Sequence, residues 1–203
     1  MVDDYHEALA TNLYFDRNFD TEAAKVLPGE YFVTGKDMLL VTVLGSCVAA
    51  CIRDQQSGIG GMNHFMLPDS RVDESSHASG SARYGTYAME ILINDLTKMG
   101  ARRENLEAKV FGGGNVLPGL TVANVGERNA EFVLRFLATE RIHIAARDLV
   151  DVFPRKVYYF PKTGRVLVKK LRTVNNNTIF QREKDYGLRL KKTSIGGEVE
   201  LFG

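Results

Sequence analysis

Apolar positions along the chain follow two different spacings, and their alternation predicts strands and helices in turn. Leu39–Val43, Val48–Arg53 and Ile59–Met66 are short apolar runs separated by Gly45-Ser46 and Gln55–Gly58, which have the composition of loops. From Ala82 to Met99 the spacing changes. Tyr84, Tyr87, Ile91, Leu92, Leu96 and Met99 share one helical face, with Ser79 or Ser81 as a cap and Gly100 as the stop. A second helix fits Gly126–Thr139, with Val133, Leu134 and Leu137 inward. Ala108–Phe111 reads as a buried strand running into Gly112-Gly113-Gly114, and Ile142–Ala146 as another. Lys156–Phe160 and Arg165–Leu171 flank Pro161-Lys162-Thr163-Gly164 as a hairpin. The tail predicts a short helix over Ile179–Leu190 and a last strand, Glu198–Phe202. Before all of these, residues 1–36 read as an extended lead-in closed by the turn Leu27-Pro28-Gly29-Glu30. Interleaved strands and helices give an α/β class, a layered sandwich with a mixed sheet in a single domain. The expected parse is a lead-in over 1–26, the domain over 27–172 and an extension over 173–203.

Composition narrows this picture. A chain of 203 residues, 44% hydrophobic, is long enough for one domain with its own core. It contains no apolar run near the ~20 residues that span a bilayer. Its first ten residues are acidic and lack the basic-then-apolar order of a secretory signal. With two cysteines only, Cys47 and Cys51, a disulfide-built fold is excluded, and the cytosol is the expected compartment. Net charge is +1, unevenly distributed. Residues 155–192 carry twelve Lys or Arg against Glu183 and Asp185, a stretch that either steers an acidic partner or forms a solvated face. It lacks the interleaved aromatics of a single-strand nucleic-acid platform, so no nucleic-acid partner is expected.

Chemistry concentrates between Thr42 and Pro68. Cys47 follows a Gly-Ser bend at the head of an apolar segment, where backbone N–H groups can converge on an oxyanion. Ser46 is the adjacent candidate for that support, and Asn63 beside His64 is a second. A free thiol has a pKa of ~8.5, and a nearby imidazolium lowers it to give a reactive ion pair. His64 lies seventeen residues on, enough for a second strand to return beside the first. It can take the thiol proton and give it to a departing amine. Thr42, upstream on the same arm as Cys47, has a hydroxyl that can orient the ring.

Blander readings fit the same residues. A lone cysteine opening a strand is commonly a small core hydrophobe, and Cys51 reads that way. A zinc site from Cys47, Cys51, His64 and His77 is disfavoured, because three residues separate the cysteines but twelve separate the histidines. Phe111-Gly112-Gly113-Gly114-Asn115 lacks the Lys-Ser/Thr of a phosphate loop and fits a close backbone approach or tight turn. No cofactor is implied. His143, between Ile142 and Ile144, fits the outer face of a strand.

Taken together, Leu44-Gly45-Ser46-Cys47-Val48 and Gly61-Met62-Asn63-His64-Phe65-Met66-Leu67-Pro68 resemble the signature of the chemoreceptor glutamine deamidase (CheD) family. The likeness extends through Ala82-Arg83-Tyr84-Gly85, Lys109 to Gly114, and Val125-Gly126-Glu127-Arg128-Asn129. Leu27 to Tyr31 and Gly197 to Phe202 look like the longer, proteobacterial-type members. The resemblance implies an α/β sandwich like that of a bacterial toxin domain that also deamidates glutamine. It implies hydrolysis of selected glutamine side chains on chemoreceptor cytoplasmic helices. It also carries the nucleophile to Cys47, the base to His64 and the orienting threonine to Thr42, although some members have one more residue between threonine and cysteine. Some members bind a CheC-type phosphatase, so a non-catalytic adaptor is the alternative, and a generic cysteine peptidase or thioester hydrolase is another.

Overall fold

A computed structural model describes residues 8–68, 80–116, 125–172 and 177–193. Eleven strands and three α-helices among them form two mixed sheets with helices on one side, confirming the α/β class. The chain opens with β1 (Ala8–Leu9), β2 (Asn12–Asp16), β3 (Thr21–Lys25) and β4 (Glu30–Thr34). It continues with β5 (Leu39–Leu44), β6 (Val48–Asp54) and β7 (Gly60–His64), then helix α1 (Gly80–Lys98). After β8 (Leu106–Gly112) come helix α2 (Val125–Thr139), β9 (His143–Leu149), β10 (Arg155–Phe160), β11 (Arg165–Lys170) and helix α3 (Asn177–Thr193). One sheet has the order β1-β4-β7-β6-β8-β9 and the other β11-β10-β5-β3-β2.

The six-stranded sheet forms the middle layer. Helices α1 and α2 pack on one face of it, against β4, β6, β7, β8 and β9, and the five-stranded sheet covers the other. Being covered on both sides, β6 and β7 are buried along almost their whole length, which explains why Val48–Ile52 is continuously apolar instead of alternating. Leu40, Leu44, Val157 and Tyr159 from one sheet join Cys51 and Met62 from the other in a single core. Each fully buried aliphatic side chain there contributes about 1.5–3 kcal/mol.

From β5 onward the sequence places each described strand and α-helix within a few residues of its observed bounds, while β1 to β4 fall inside the stretch read as an extended lead-in. Two details differ. Met99 is exposed, because α1 ends at Lys98 and Gly100 turns the chain away; the buried stripe is Tyr84, Ala88, Met89, Leu92, Ile93 and Leu96. The extended lead-in is part of the fold: β1 pairs with β4, and β2 and β3 pair into the five-stranded sheet, so residues 8–26 contribute to both layers. Predicted features at Ser79, His77 and Glu198–Phe202 lie outside the described residues, as does the side chain of Ser81.

This topology fixes the site. β5 and β6 are consecutive in sequence but belong to different sheets, so Gly45-Ser46-Cys47 is the crossing between layers. Beside it, Val48 and Phe65 exchange backbone hydrogen bonds of 2.9 and 3.0 Å, bringing the end of β7 next to the start of β6. The turn at Leu27–Glu30 closes the third side. Glu30 N–H donates to Leu27 O at 2.9 Å, Gly29 N–H to His64 O at 2.8 Å, and Gly29 adopts a φ of 81° that only glycine takes freely.

Candidate active site

Cys47, His64 and Thr42 meet at this crossing, and all three are buried: Cys47 and Thr42 are 0% exposed, His64 1%. Thr42 lies on the inward face of β5, and its Oγ1 is 2.7 Å from Val26 O and 2.8 Å from His64 Nδ1. A hydroxyl has one proton, and the carbonyl can only accept. Thr42 therefore donates to Val26 O and accepts from His64 Nδ1–H. That assignment leaves Nε2 as the basic nitrogen, and Nε2 has no hydrogen-bond partner among the described residues.

The bend before Cys47 is a nest of donors. The backbone N–H groups of Gly45, Ser46 and Cys47 all point at the carboxylate of Glu183, at 2.8, 2.8 and 3.1 Å, and Ser46 Oγ donates to it at 2.7 Å. Oε1 takes the Gly45 and Cys47 donors, and Oε2 takes both from Ser46. Gly45 is required for this approach, since a Cβ there would stand 2.8 Å from Glu183 Oε2.

Two further elements hold the bend from behind. Gly113 N–H donates to Cys47 O and Gly114 N–H to Gly45 O, each at 2.8 Å. Gly112 has a φ of 110°, and a Cβ there would come 2.2 Å from Cys47 O. The glycine run is thus the close backbone approach that its sequence suggests. Asn129 of α2 completes the clamp: Nδ2 donates to Ser46 O at 2.8 Å, and Oδ1 accepts from Leu67 N–H at 2.9 Å.

Asn63, expected near the oxyanion, lies on the opposite face of β7. Its Oδ1 accepts from Ala50 N–H and its Nδ2 donates to Ala88 O, both at 2.9 Å, so it ties β6 to α1 and offers no donor to the thiol. Ser46 donates to Glu183 through both its N–H and its hydroxyl. Cys51 is buried in the core between the sheets.

Glu183 is the residue that sequence reasoning misses, because it enters there only as an acid in a basic stretch. A signal for it exists: Ile179, Glu183, Tyr186 and Leu190 follow helical spacing, and the last three are buried on α3. A donor atom each from Cys47, His64 and Glu183 lie within 4.8 Å of one another, a set with metal-ligand chemistry. Both carboxylate oxygens, however, are already directed at backbone N–H groups, which is the geometry of an anion in a nest. Next to His64 a cavity of about 20 Å³, lined by Val26, Pro28, Arg182 and Glu183 among others, has the size one water needs.

The site's electrostatics are those of a neutral pair. Burial, then the charge of Glu183, push the Cys47 thiol well above its ordinary value. Burial pulls His64 down to about 4, against the opposing pull of Glu183 and the Val26 carbonyl. The thiolate–imidazolium pair expected from the sequence is not the form this closed arrangement favours.

The family described as CheD chemotactic sensory transduction matches residues 66–170. The chain is 70% identical over 97% of its length, and 97% of the relative's, to a probable chemoreceptor glutamine deamidase CheD from Janthinobacterium sp. strain Marseille. The chain belongs to the CheD family. Proteins with the same description from Herminiimonas arsenicoxydans (67% identical, 97% of each chain) and Methylobacillus flagellatus (63%, all of each chain) agree. The similarity to these CheD relatives spans Thr42, Cys47, His64 and Glu183, beyond the stretch that the family description matches. No helix among the described residues is long and apolar enough to cross a membrane.

Proposed function

We propose that this chain is a cytoplasmic protein-glutamine deamidase that converts glutamine side chains on chemoreceptor cytoplasmic helices to glutamate. Its CheD relatives are described as probable chemoreceptor glutamine deamidases at 63–70% identity over nearly their full length. The observation that carries the mechanism is the carboxylate nest at Gly45–Cys47, beside a thiol and a histidine whose tautomer Thr42 fixes.

The nest binds the oxygen of a γ-carboxamide as it gains charge. Cys47 Sγ gives its proton to His64 Nε2 and attacks the amide carbon. Protonated His64 then donates to the amide nitrogen, the C–N bond breaks, and ammonia leaves. Water, deprotonated by the same nitrogen, adds to the γ-glutamyl thioester and expels the Cys47 thiolate, leaving glutamate. Each product carries one more negative charge, which changes repulsion between neighbouring receptor helices. Burial, then the charges of Arg182 and Lys156, depress the Lys25 ammonium, and the strand residues Lys25 and Lys156 give a positive edge that suits an acidic helix. A CheC-type phosphatase is proposed as a second partner on the family resemblance.

Ammonia release from a purified receptor cytoplasmic fragment tests the assignment. Cys47→Ala and His64→Ala, each folded, are expected to lose at least ~10³-fold in rate. Near-wild-type release by either variant contradicts these roles. Cleavage of the receptor backbone would favour a peptidase.

A further inference from the structure

The chain's last described helix packs over the bend that carries Cys47 and places Glu183 against it. Resting on the deamidase reading, we propose that α3 is an intramolecular product mimic, lying in the groove that receives the receptor helix with Glu183 where a newly formed glutamate would be. On this proposal α3 withdraws before turnover.

Five observations carry this. The Glu183 carboxylate accepts from three consecutive backbone N–H groups and one hydroxyl at the bend that carries the nucleophile. Glutamate is the product of the proposed reaction, and a donor atom each from Cys47, His64 and Glu183 lie within 4.8 Å. Glu183 is also presented as a receptor helix would present its glutamine. It projects from an apolar stripe, with Tyr186 and Leu190 buried beside it, on a helix whose residues on the other faces are exposed among those described, such as Arg182, Lys184 and Leu188.

The groove fits that helix closely. Gly45 leaves room for the carboxylate, and Gly29 for Tyr186, whose ring would lie 2.8 Å from a Cβ at that position. A Cβ at Gly187 would lie only 3.1 Å from Met66 Cε, and the Tyr186 and Tyr84 hydroxyls are hydrogen-bonded. Finally, with α3 in place Cys47 is 0% and His64 1% exposed, so no external side chain reaches either.

Two other roles for Glu183 fit less well. As the orienter of His64 it would bond the ring, but Thr42 holds Nδ1 and the carboxylate oxygens are hydrogen-bonded to residues 45–47. As a metal ligand it would turn an oxygen away from those donors.

The full-length Glu183→Gln variant tests the proposal directly, because it converts the product mimic into a substrate. The introduced glutamine is expected to become glutamate in the purified protein. Cys47 forms the thioester with its γ-carbon, ammonia leaves with the proton from His64, and the carboxyl acquires one oxygen from heavy-oxygen water. Intact and peptide mass spectrometry read the change, and the Cys47→Ala/Glu183→Gln double variant should keep its glutamine. Glu183→Ala should deamidate a receptor fragment with KM lowered about tenfold and kcat little altered, as expected when an internal competitor is removed.

The two failures are separable. If wild-type protein deamidates receptors through Cys47 while the introduced glutamine persists and Glu183→Ala is no better than wild type, the mimic is wrong and the deamidase reading stands. If no variant deamidates any receptor, the deamidase reading fails as well. Stoichiometric zinc binding by wild type, lost in both Cys47→Ala and Glu183→Ala, would overturn the mimic in favour of a metal centre.

Discussion

Thr42 contributes a single proton, and the direction of that proton decides which nitrogen of His64 carries hydrogen and which is left unprotonated. With Val26 O taking the hydroxyl hydrogen, His64 Nδ1–H must donate to Thr42, leaving Nε2 free. Thr42→Val keeps the shape and removes both bonds. It is expected to lower kcat by about 10–100-fold, as loss of a partner that fixes a histidine generally does, and to shift the acidic limb of the pH–rate profile. Thr42→Ser should restore most of the rate; equal rates in all three proteins would remove Thr42 from the account. Thr42, Cys47 and His64 are legible in the sequence because they sit on or beside consecutive strands, where the apolar runs and the Gly-Ser bend fix the spacing. Glu183 is not, because it meets Cys47 across 136 residues, and no local pattern encodes that return. Only its position within the stripe of Ile179, Tyr186 and Leu190 marks it as a buried acid.

At the scale of elements, the reactive bend has almost no structure of its own and takes its shape from two neighbours. The glycines at 112–114 supply backbone donors from the end of β8, and Asn129 supplies a side-chain clamp from the first half of α2. Asn129→Ala leaves Ser46 O and Leu67 N–H without their buried partners, a loss of about 2–4 kcal/mol. Urea denaturation should show this cost, with a fall in kcat because the nest loosens; an unchanged midpoint would show that the clamp contributes nothing to stability. The Val-Gly-Glu-Arg-Asn segment is visible as a family-like motif, yet the role of its asparagine is not, since the partner carbonyl belongs to a different layer. Helix and strand positions are legible because period matches burial on α1, α2 and the strands. Met99 departs from that rule because a residue beyond the last turn no longer follows the helix face.

For the molecule as a whole, one sheet sandwiched between another and a pair of helices leaves Thr42, Cys47 and His64 at an inter-layer seam that α3 seals. Sealing has a measurable cost at low pH. His64 is held at about 4 in the fold, below its ordinary 6.5, so the unfolded chain takes up its proton first. Its contribution is complete above pH 6.5 and is lost as pH falls to about 4, a change of roughly 3 kcal/mol. The stability difference between wild type and His64→Gln should therefore vary across that window and be flat above it; a difference independent of pH would mean that His64 titrates normally. The basic stretch is less extensive in space than in sequence, because Arg155 is buried against Asp148 and Lys170 pairs with Asp151 at 2.6 Å.

The central claim is chemical, and peptide-resolved mass spectrometry of a receptor cytoplasmic fragment tests it most directly. Incubated with this protein in heavy-oxygen water, defined glutamines should become glutamates carrying one solvent oxygen, and Cys47→Ala should leave them unchanged. Conversion by the alanine variant at the wild-type rate, or none by the folded and reduced wild type across several receptors, would contradict a deamidase built on Cys47.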